Sequence, residues 1–443
     1  MSSTTSFTKA PVNEDAPMSV HSVRVLGTSI TRKSFLDTLT QGLFTPQTTS
    51  DVFKEAQDIA TKLDHHDVFD EIKVYLDTNQ NLKDTVDVTI QLKEKSRGLV
   101  KTAFCTGDNE VHVIGSVLSR NLFGGAETFD TSFSFGNRTL AAGEAVLSTP
   151  LNGSPYLTLS GFVNGAIKDH SLINPYKEES QTKGLRVKIQ SLYGENEISY
   201  ALTQRDITAY PTASSTIREQ SGANTKSSVY HSFVHDTRNH KTLPTEGHYL
   251  GLFQEWAGVG SKGDSNFIKH EIFGQTHRTL VNKGVGTDAV RVSLSLSGKA
   301  GLLASLDNNK VNLSDRLYLG GPLSLRGFKS GGIGARNGND ALGGNVYWAV
   351  GASMISTIPG SAHLPIKLHA FANAGNMSQW QRGEEMNKTI EDLSREPRVS
   401  IGLGLIFHHE VARIETNFTI PLRFRTGDVI DSGFGFGVGI NFL

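Results

Sequence analysis

One cysteine, Cys105, stands in a chain of 443 residues. That excludes an intramolecular disulfide and any thiol-rich metal site. An excess of one charge is missing too. Lys+Arg number 43 against 44 Asp+Glu, a formal net charge of -1, so composition gives no footing for nucleic acid or for an anionic membrane surface. The opening stretch, MSSTTSFTKAPVNEDAPMSV, has neither the apolar core of a secretory signal nor the arginine-rich amphipathic pattern of a transit peptide. Residues 1–20 read as a disordered polar tail. No run approaches the ~20 continuous apolar residues of a spanning helix, and on hydropathy alone the chain reads as soluble. Convincing helical periodicity is absent after Arg97.

What is present changes period near residue 97. Ahead of it, SVRVLG (22–27) is a short strand, and Phe35, Leu36, Leu39 and Leu43 recur at helical spacing. A second helix begins near Ser50, read as its N-cap, with Val52, Phe53, Ala56, Ile59, Ala60 and Leu63 on one face. Two alternating strands follow, Ile72/Val74/Leu76 and Val86/Val88/Ile90/Leu92. The order β-α-α-β-β predicts a small α+β domain over 21–97.

From residue 98 to 443 some sixteen runs alternate apolar with polar residues. In one, Leu185/Val187/Ile189 alternate with Arg186/Lys188/Gln190; in another, Ile401/Leu403/Leu405/Phe407 alternate with Ser400/Gly402/Gly404. The last, GFGFGVGINFL, places Phe434, Phe436, Val438, Ile440 and Phe442 on one face opposite glycines and Asn441. Such alternation suits a sandwich or a membrane barrel. Runs of about ten residues, the length that crosses a bilayer at a tilt, and recurrent Arg, Lys, Glu and Gln on the second face favour the barrel with a wet lumen. A sandwich of sixteen long strands would be unusual.

One segment resists this pattern. RLYLGGPLSLRGF, Arg316 to Phe328, is broken by Gly320, Gly321 and Pro322 and cannot be a regular strand. It is nevertheless too apolar for an ordinary surface loop, and Arg326 sits in its least polar half.

Here the chain resembles a known superfamily. Leu325-Arg326-Gly327-Phe328, between the eleventh and twelfth barrel runs, is similar to the (V/I/L)-R-G-F signature of the outer-membrane barrel-assembly superfamily. NLFGGAETFDTSFSFG (121–136) resembles its N-x-x-G-x-G turn and following strand, and FANAGN (371–376) its F-x-D-x-G strand. The β-α-α-β-β unit looks like a single POTRA domain. The mitochondrial branch, the central barrel of the sorting and assembly machinery, is the most similar. The resemblance implies a transmembrane barrel of about 16 antiparallel strands behind one POTRA domain. It also implies that the loop at 305–341 folds back into the lumen, where Arg326 contacts the inner wall. Alternation puts Lys367, His369, Phe371 and Asn373 on that wall, so Phe371 and Asn373 are its expected partners. The superfamily's acid is Asn373 here, which leaves the arginine to lumenal water and carbonyls or to another acid such as Glu415.

The implied activity is insertion of β-barrel precursors into the mitochondrial outer membrane, without enzymatic chemistry or cofactor. A closed barrel has no free edge, so an insertase would open the seam between its first strand, about Leu99–Thr106, and its last, about Gly433–Phe442. An incoming strand could then pair there. Val100, Phe104 and Cys105 on one side and Gly433, Gly435, Gly437 and Gly439 on the other are the expected gate, because glycine-rich strands specify register weakly. Equally, those glycines could only relieve crowding inside. The chain's own assembly signal is expected at Gly437, Ile440 and Phe442, with a second register at Asp431, Gly433, Phe436 and Val438. Expected partners are unfolded barrel precursors, membrane lipid, metaxin-like cytosolic subunits and chaperones of the intermembrane space, which the POTRA domain should face. A polypeptide-conducting import channel and a passive pore are the alternatives. GVGSKG (258–263) has no following helix to make a dinucleotide site. HDTRNH (235–240) and His408-His409-Glu410 lack the convergent spacing of a metal site, and no metal is expected.

Overall fold

The computed structural model describes residues 15–443 apart from 80–81, 108–109, 262, 285–288, 308–310, 359, 362, 381–384, 409–412 and 440–441. The amino-terminal unit comprises β1 (Ser19–Leu26), α1 (Lys33–Thr40), α2 (Thr49–His65), β2 (Phe69–Thr78) and β3 (Thr85–Glu94). Its sheet order is β1-β3-β2, with β1 parallel and β2 antiparallel to β3. Being central, β3 buries one whole face: Val86, Val88, Ile90 and Leu92 pack under Leu36, Leu39, Val52, Ile59 and Leu63 of the helices. Two local expectations change. Thr48, not Ser50, caps α2, its side chain accepting from Asp51 N, and Phe53 points outward because it lies at the rim of the apolar stripe. The polar tail is also shorter than expected. Ala16 and Met18 exchange backbone hydrogen bonds with Thr49 and Gln47, whereas residues 1–14 lie outside the described residues.

Glu94 closes this unit. Its carboxylate accepts from Thr31 N and Oγ1 at 2.8 and 2.7 Å and from Ser29 Oγ at 2.8 Å. Burial works against its ionisation, but these side-chain and backbone donors outweigh that and hold the carboxyl at about 2. A depressed folded-state pKa stabilises above the unfolded value, near 4.3, and that contribution disappears as pH falls through the folded one. Hydrogen-exchange protection of residues 29–31 in the full chain should therefore decline between pH 4 and about pH 2, and Glu94→Gln should remove this pH dependence.

Sixteen antiparallel strands follow. They begin with β4 (Gly98–Gly107), β5 (Glu110–Arg120), β6 (Thr128–Gly136), β7 (Thr139–Pro150), β8 (Leu157–Asp169), β9 (Tyr176–Ser191) and β10 (Gly194–Ala209). Next come β11 (Gly222–Asp236), β12 (Gly247–Ala257), β13 (Phe267–Lys283) and β14 (Val290–Ser305). A long loop, carrying the small hairpin β15 (Ala335–Asn337) and β16 (Asp340–Gly343), separates them from β17 (Val346–Thr357), β18 (Ile366–Ser378), β19 (Arg398–His408), β20 (Arg413–Arg423) and β21 (Gly433–Gly439). Parity along each strand sets the two faces. Leu185, Leu296, Val350, Leu403 and Leu405 are exposed on the outside, while Arg398, Ser400 and His369 are buried within. Two short helices interrupt the expected all-strand pattern, α3 (Ser215–Glu219) and α4 (Met386–Ser394). The first, at five residues, has too few turns to show an apolar period.

Two features position the functional region. Asn121 donates to Thr31 Oγ1 at 2.8 Å and Glu127 pairs with Arg32 at 2.6 Å, so the turn between β5 and β6 holds the amino-terminal unit. The sheet order then runs unbroken from β21 back to β4, and among the described residues no strand pairing joins those two ends. Among the described residues, the seam is where the ladder stops.

Candidate functional site

The loop between β14 and β17 turns back into the lumen, burying Leu319, Leu325, Arg326 and Phe328. Glycine permits the turn at two places. Gly320 has φ +111°, and a Cβ there would lie 2.4 Å from Lys329 O; Gly327 has φ +86°, and a Cβ would meet Thr419 Cγ2 at 2.9 Å. Only glycine tolerates both the left-handed backbone and the close wall.

Arg326 is 2% exposed. Its Nε donates to Glu415 Oε2 at 3.1 Å, and Nη2 lies 3.0 Å from the same oxygen. Nη1 donates to Asn373 Oδ1 at 3.1 Å and to the Leu443 backbone oxygen at 2.6 Å. The guanidinium also lies over the rings of Phe371, at 4.7 Å, and Phe442, at 5.5 Å. Glu415 is fully buried and shared with Arg413 and with Asn417 Nδ2, the latter at 2.7 Å. A buried carboxylate with this many donors is a charge that must stay paired.

The base of the loop has its own anchor on another wall. Asp315 accepts from Arg205 Nη1 and Nη2 at 3.1 and 2.5 Å and from Lys226 Nζ at 2.8 Å. Lys226 also pairs with Glu255 at 2.9 Å. All four side chains are buried. The loop is thus tied to β10–β12 at its base and to β18–β20 at its tip.

The tip reaches the last strand as well. Gly327 O accepts from Asp431 N at 2.9 Å and Lys329 N donates to Val429 O at 3.0 Å, just before β21. A Cβ on Gly437 would meet Pro322 at 3.0 Å and one on Gly439 would meet Leu323 at 2.8 Å. These two glycines make room for the loop. Gly433 and Gly435 meet nothing closer than 3.9 Å.

The Omp85 superfamily domain matches residues 121–442. A SAM50-like protein of Schizosaccharomyces pombe is 34% identical over 97% of this chain and 92% of its own length. The chain belongs to the Omp85 superfamily. Sorting and assembly machinery component 50 homolog A of Xenopus laevis is 31% identical, covering 89% of this chain and 84% of that relative. Among solved structures, BamA from Haemophilus ducreyi lacking POTRA domains 1–3 superposes with a TM-score of 0.75. It covers 95% of this chain and 84% of that one, and at 15% identity the likeness is of fold. The protein is accordingly an integral outer-membrane barrel carrying an amino-terminal POTRA-like unit.

Against this Omp85 frame, the structure brings most of the residues singled out in the sequence into one cluster. Leu325 to Phe328 lie in the lumen, and His369, Phe371 and Asn373 face them. Both options for Arg326 contribute: the Leu443 backbone oxygen accepts, and Glu415, two strands from Asn373, supplies the charge. Phe442 is placed differently from its expected strand face. Among the described residues the last β20–β21 pair is Arg413↔Gly439, and Phe442 lies inward, where its ring stacks beneath Arg326 and Arg413. Ile440 lies outside the described residues. In β4, Val100 is exposed and Cys105 pairs in register with His112. Sequence reasoning missed Asp315, Arg205, Lys226 and Glu255; single charged residues are unremarkable on a lumenal face, and only the pairing of β10–β12 with the inward fold of the loop brings them together. GVGSKG contributes a tight turn, Val259–Ser261, between two strands.

Proposed function

We propose that this Omp85 protein is the insertase that folds β-barrel precursors into the mitochondrial outer membrane, opening between β4 and β21. The observation that carries the reading is a sixteen-strand sheet whose two ends share no ladder among the described residues. Free backbone donors and acceptors at such an edge are a template for an incoming strand. Val100, Phe104 and Cys105 would line one side, and Gly433, Gly435, Gly437 and Gly439 the other. Gly437 and Gly439 serve a second purpose by seating the lumenal loop, so movement of β21 and of that loop would be coupled. Gly437, Ile440 and Phe442 remain the proposed assembly signal of the chain itself. Residues 21–97 would form the POTRA domain in the intermembrane space, receiving precursors from chaperones there, with metaxin-like subunits on the cytosolic side. The work is strand exchange and needs no covalent chemistry.

Cys105, the sole thiol, provides the test. A precursor arrested during insertion, scanned with single cysteines along its last strand and mildly oxidised, should form a disulfide with Cys105 at one register. Neighbouring registers should fail, since Cα atoms more than about 7 Å apart cannot be bridged, and Cys105→Ser should abolish the product. Efficient insertion with no crosslink, either to Cys105 or to cysteines placed elsewhere on β4, would refute the seam mechanism.

A further inference from the structure

At the POTRA end of the barrel, adjacent antiparallel strands need as few as two residues to connect, and β9 and β10 are joined by residues 192–193 alone. Between β11 and β12 the chain instead spends residues 237–246. We propose that this segment is a floor that closes the POTRA-side mouth of the lumen, so that precursors enter the membrane by the seam and not through the barrel interior. The closure stands on geometry alone; the route of the precursor rests on the insertase reading.

The segment is built to stay in place. Arg238 has a 3% exposed side chain and lies over the Tyr249 ring at 4.6 Å. It donates to both Asp236 oxygens at 2.9 Å and to Gln275 Oε1 at 3.1 Å. Asn239 braces the turn internally: Oδ1 accepts from Thr245 N at 3.1 Å, and Nδ2 donates to Thr245 Oγ1 at 2.8 Å. Thr242 and Pro244 are buried, and Thr279 Oγ1 of β13 donates to Thr245 O at 3.3 Å. The far contact decides the direction. The His240 ring meets that of His408 at 4.8 Å between centroids. His408 ends β19, and β13, β14, β17 and β18 stand between β12 and β19 in the sheet. A turn that touches a wall so far round the barrel crosses the mouth.

The floor also joins the lumenal loop. Gln275, which accepts from Arg238, donates through Nε2 to Phe442 O at 2.7 Å, and the next residue, Leu443, accepts from Arg326. Arg238 and Arg326 therefore brace the same two tail residues, one from each end of the lumen.

Planar-bilayer conductance of the full chain tests the closure without reference to insertion. Replacing 239–245 with two glycines should raise single-channel conductance at least threefold while the barrel keeps its heat-modifiable migration on gels. Unchanged conductance in a variant that keeps that migration would overturn the proposal. Should the shortened variant not fold, a second measurement decides. His240→Cys with His408→Cys, in a Cys105→Ser background, should link internally with a short bifunctional thiol reagent; absence of the link overturns the floor. With the link formed, precursor insertion at the rate of the same variant before linking supports the seam route. Insertion lost on linking would overturn that route while leaving the closure itself intact.

Discussion

Arg326→Ala should slow precursor insertion at least tenfold while leaving the barrel folded. The substitution strands Glu415, which is fully buried and keeps Arg413 and Asn417 as hydrogen-bond donors among the described residues. Removing one partner of a buried pair costs about 3–5 kcal/mol, and the two remaining donors place this case at the low end. The strand ladders do not depend on that contact, so the loss falls on the loop tip and on β21, which the tip holds through Asp431, Pro322 and Leu323. Insertion of a labelled precursor into proteoliposomes reads the first effect. Protease sensitivity of residues 318–330 reads the second. Arg326→Lys should restore less than half of the rate. A lysine is a single point charge, whereas the guanidinium reaches Glu415, Asn373 and Leu443 together. An alanine variant with normal insertion and a protected loop would show that the arginine is incidental.

Asp315→Ala should cost more stability than any other single change in the loop. It leaves Arg205 and Lys226 buried with Glu255 as their only remaining carboxylate among the four. An uncompensated buried charge is worth about 3–5 kcal/mol of destabilisation. The midpoint of the heat-induced gel shift should fall sharply, and the base of the loop should become accessible to protease. The double variant Asp315→Leu with Arg205→Met separates charge from packing. It leaves Lys226 and Glu255 balanced, and replacing a buried ion pair by apolar residues of similar volume is often neutral. Most of the lost stability should therefore return. A double variant as unstable as Asp315→Ala would mean that the hydrogen bonds, not the net charge, hold the loop base.

These two anchors mark the boundary between what was legible in the chain and what was not. Period-2 alternation is a local property. Ile401, Leu403 and Leu405 face lipid because each strand residue points opposite to its neighbour, whatever the rest of the barrel does. The same locality made the helix face of Val52, Ala56 and Ile59 readable, as well as the inward parity of His369, Phe371 and Asn373. The lumenal turn was marked by its own glycines and by its apolar excess around one arginine.

The partners of that arginine were another matter. Glu415 stands 89 residues along the chain from Arg326, and Asp315 stands 110 from Arg205. No spacing rule relates such pairs; the pairing of neighbouring strands and the inward fold of the loop bring them together. Phe442 makes the same point. Its alternation with Phe434 and Phe436 assigns it to the lipid face, yet its ring is buried inside. There two buried guanidiniums, Arg326 and Arg413, supply a better surface for an aromatic ring than lipid does. Sequence determined the faces of the strands and the existence of the inward loop; tertiary structure alone decided which charges meet inside and where the last aromatic ring lodges.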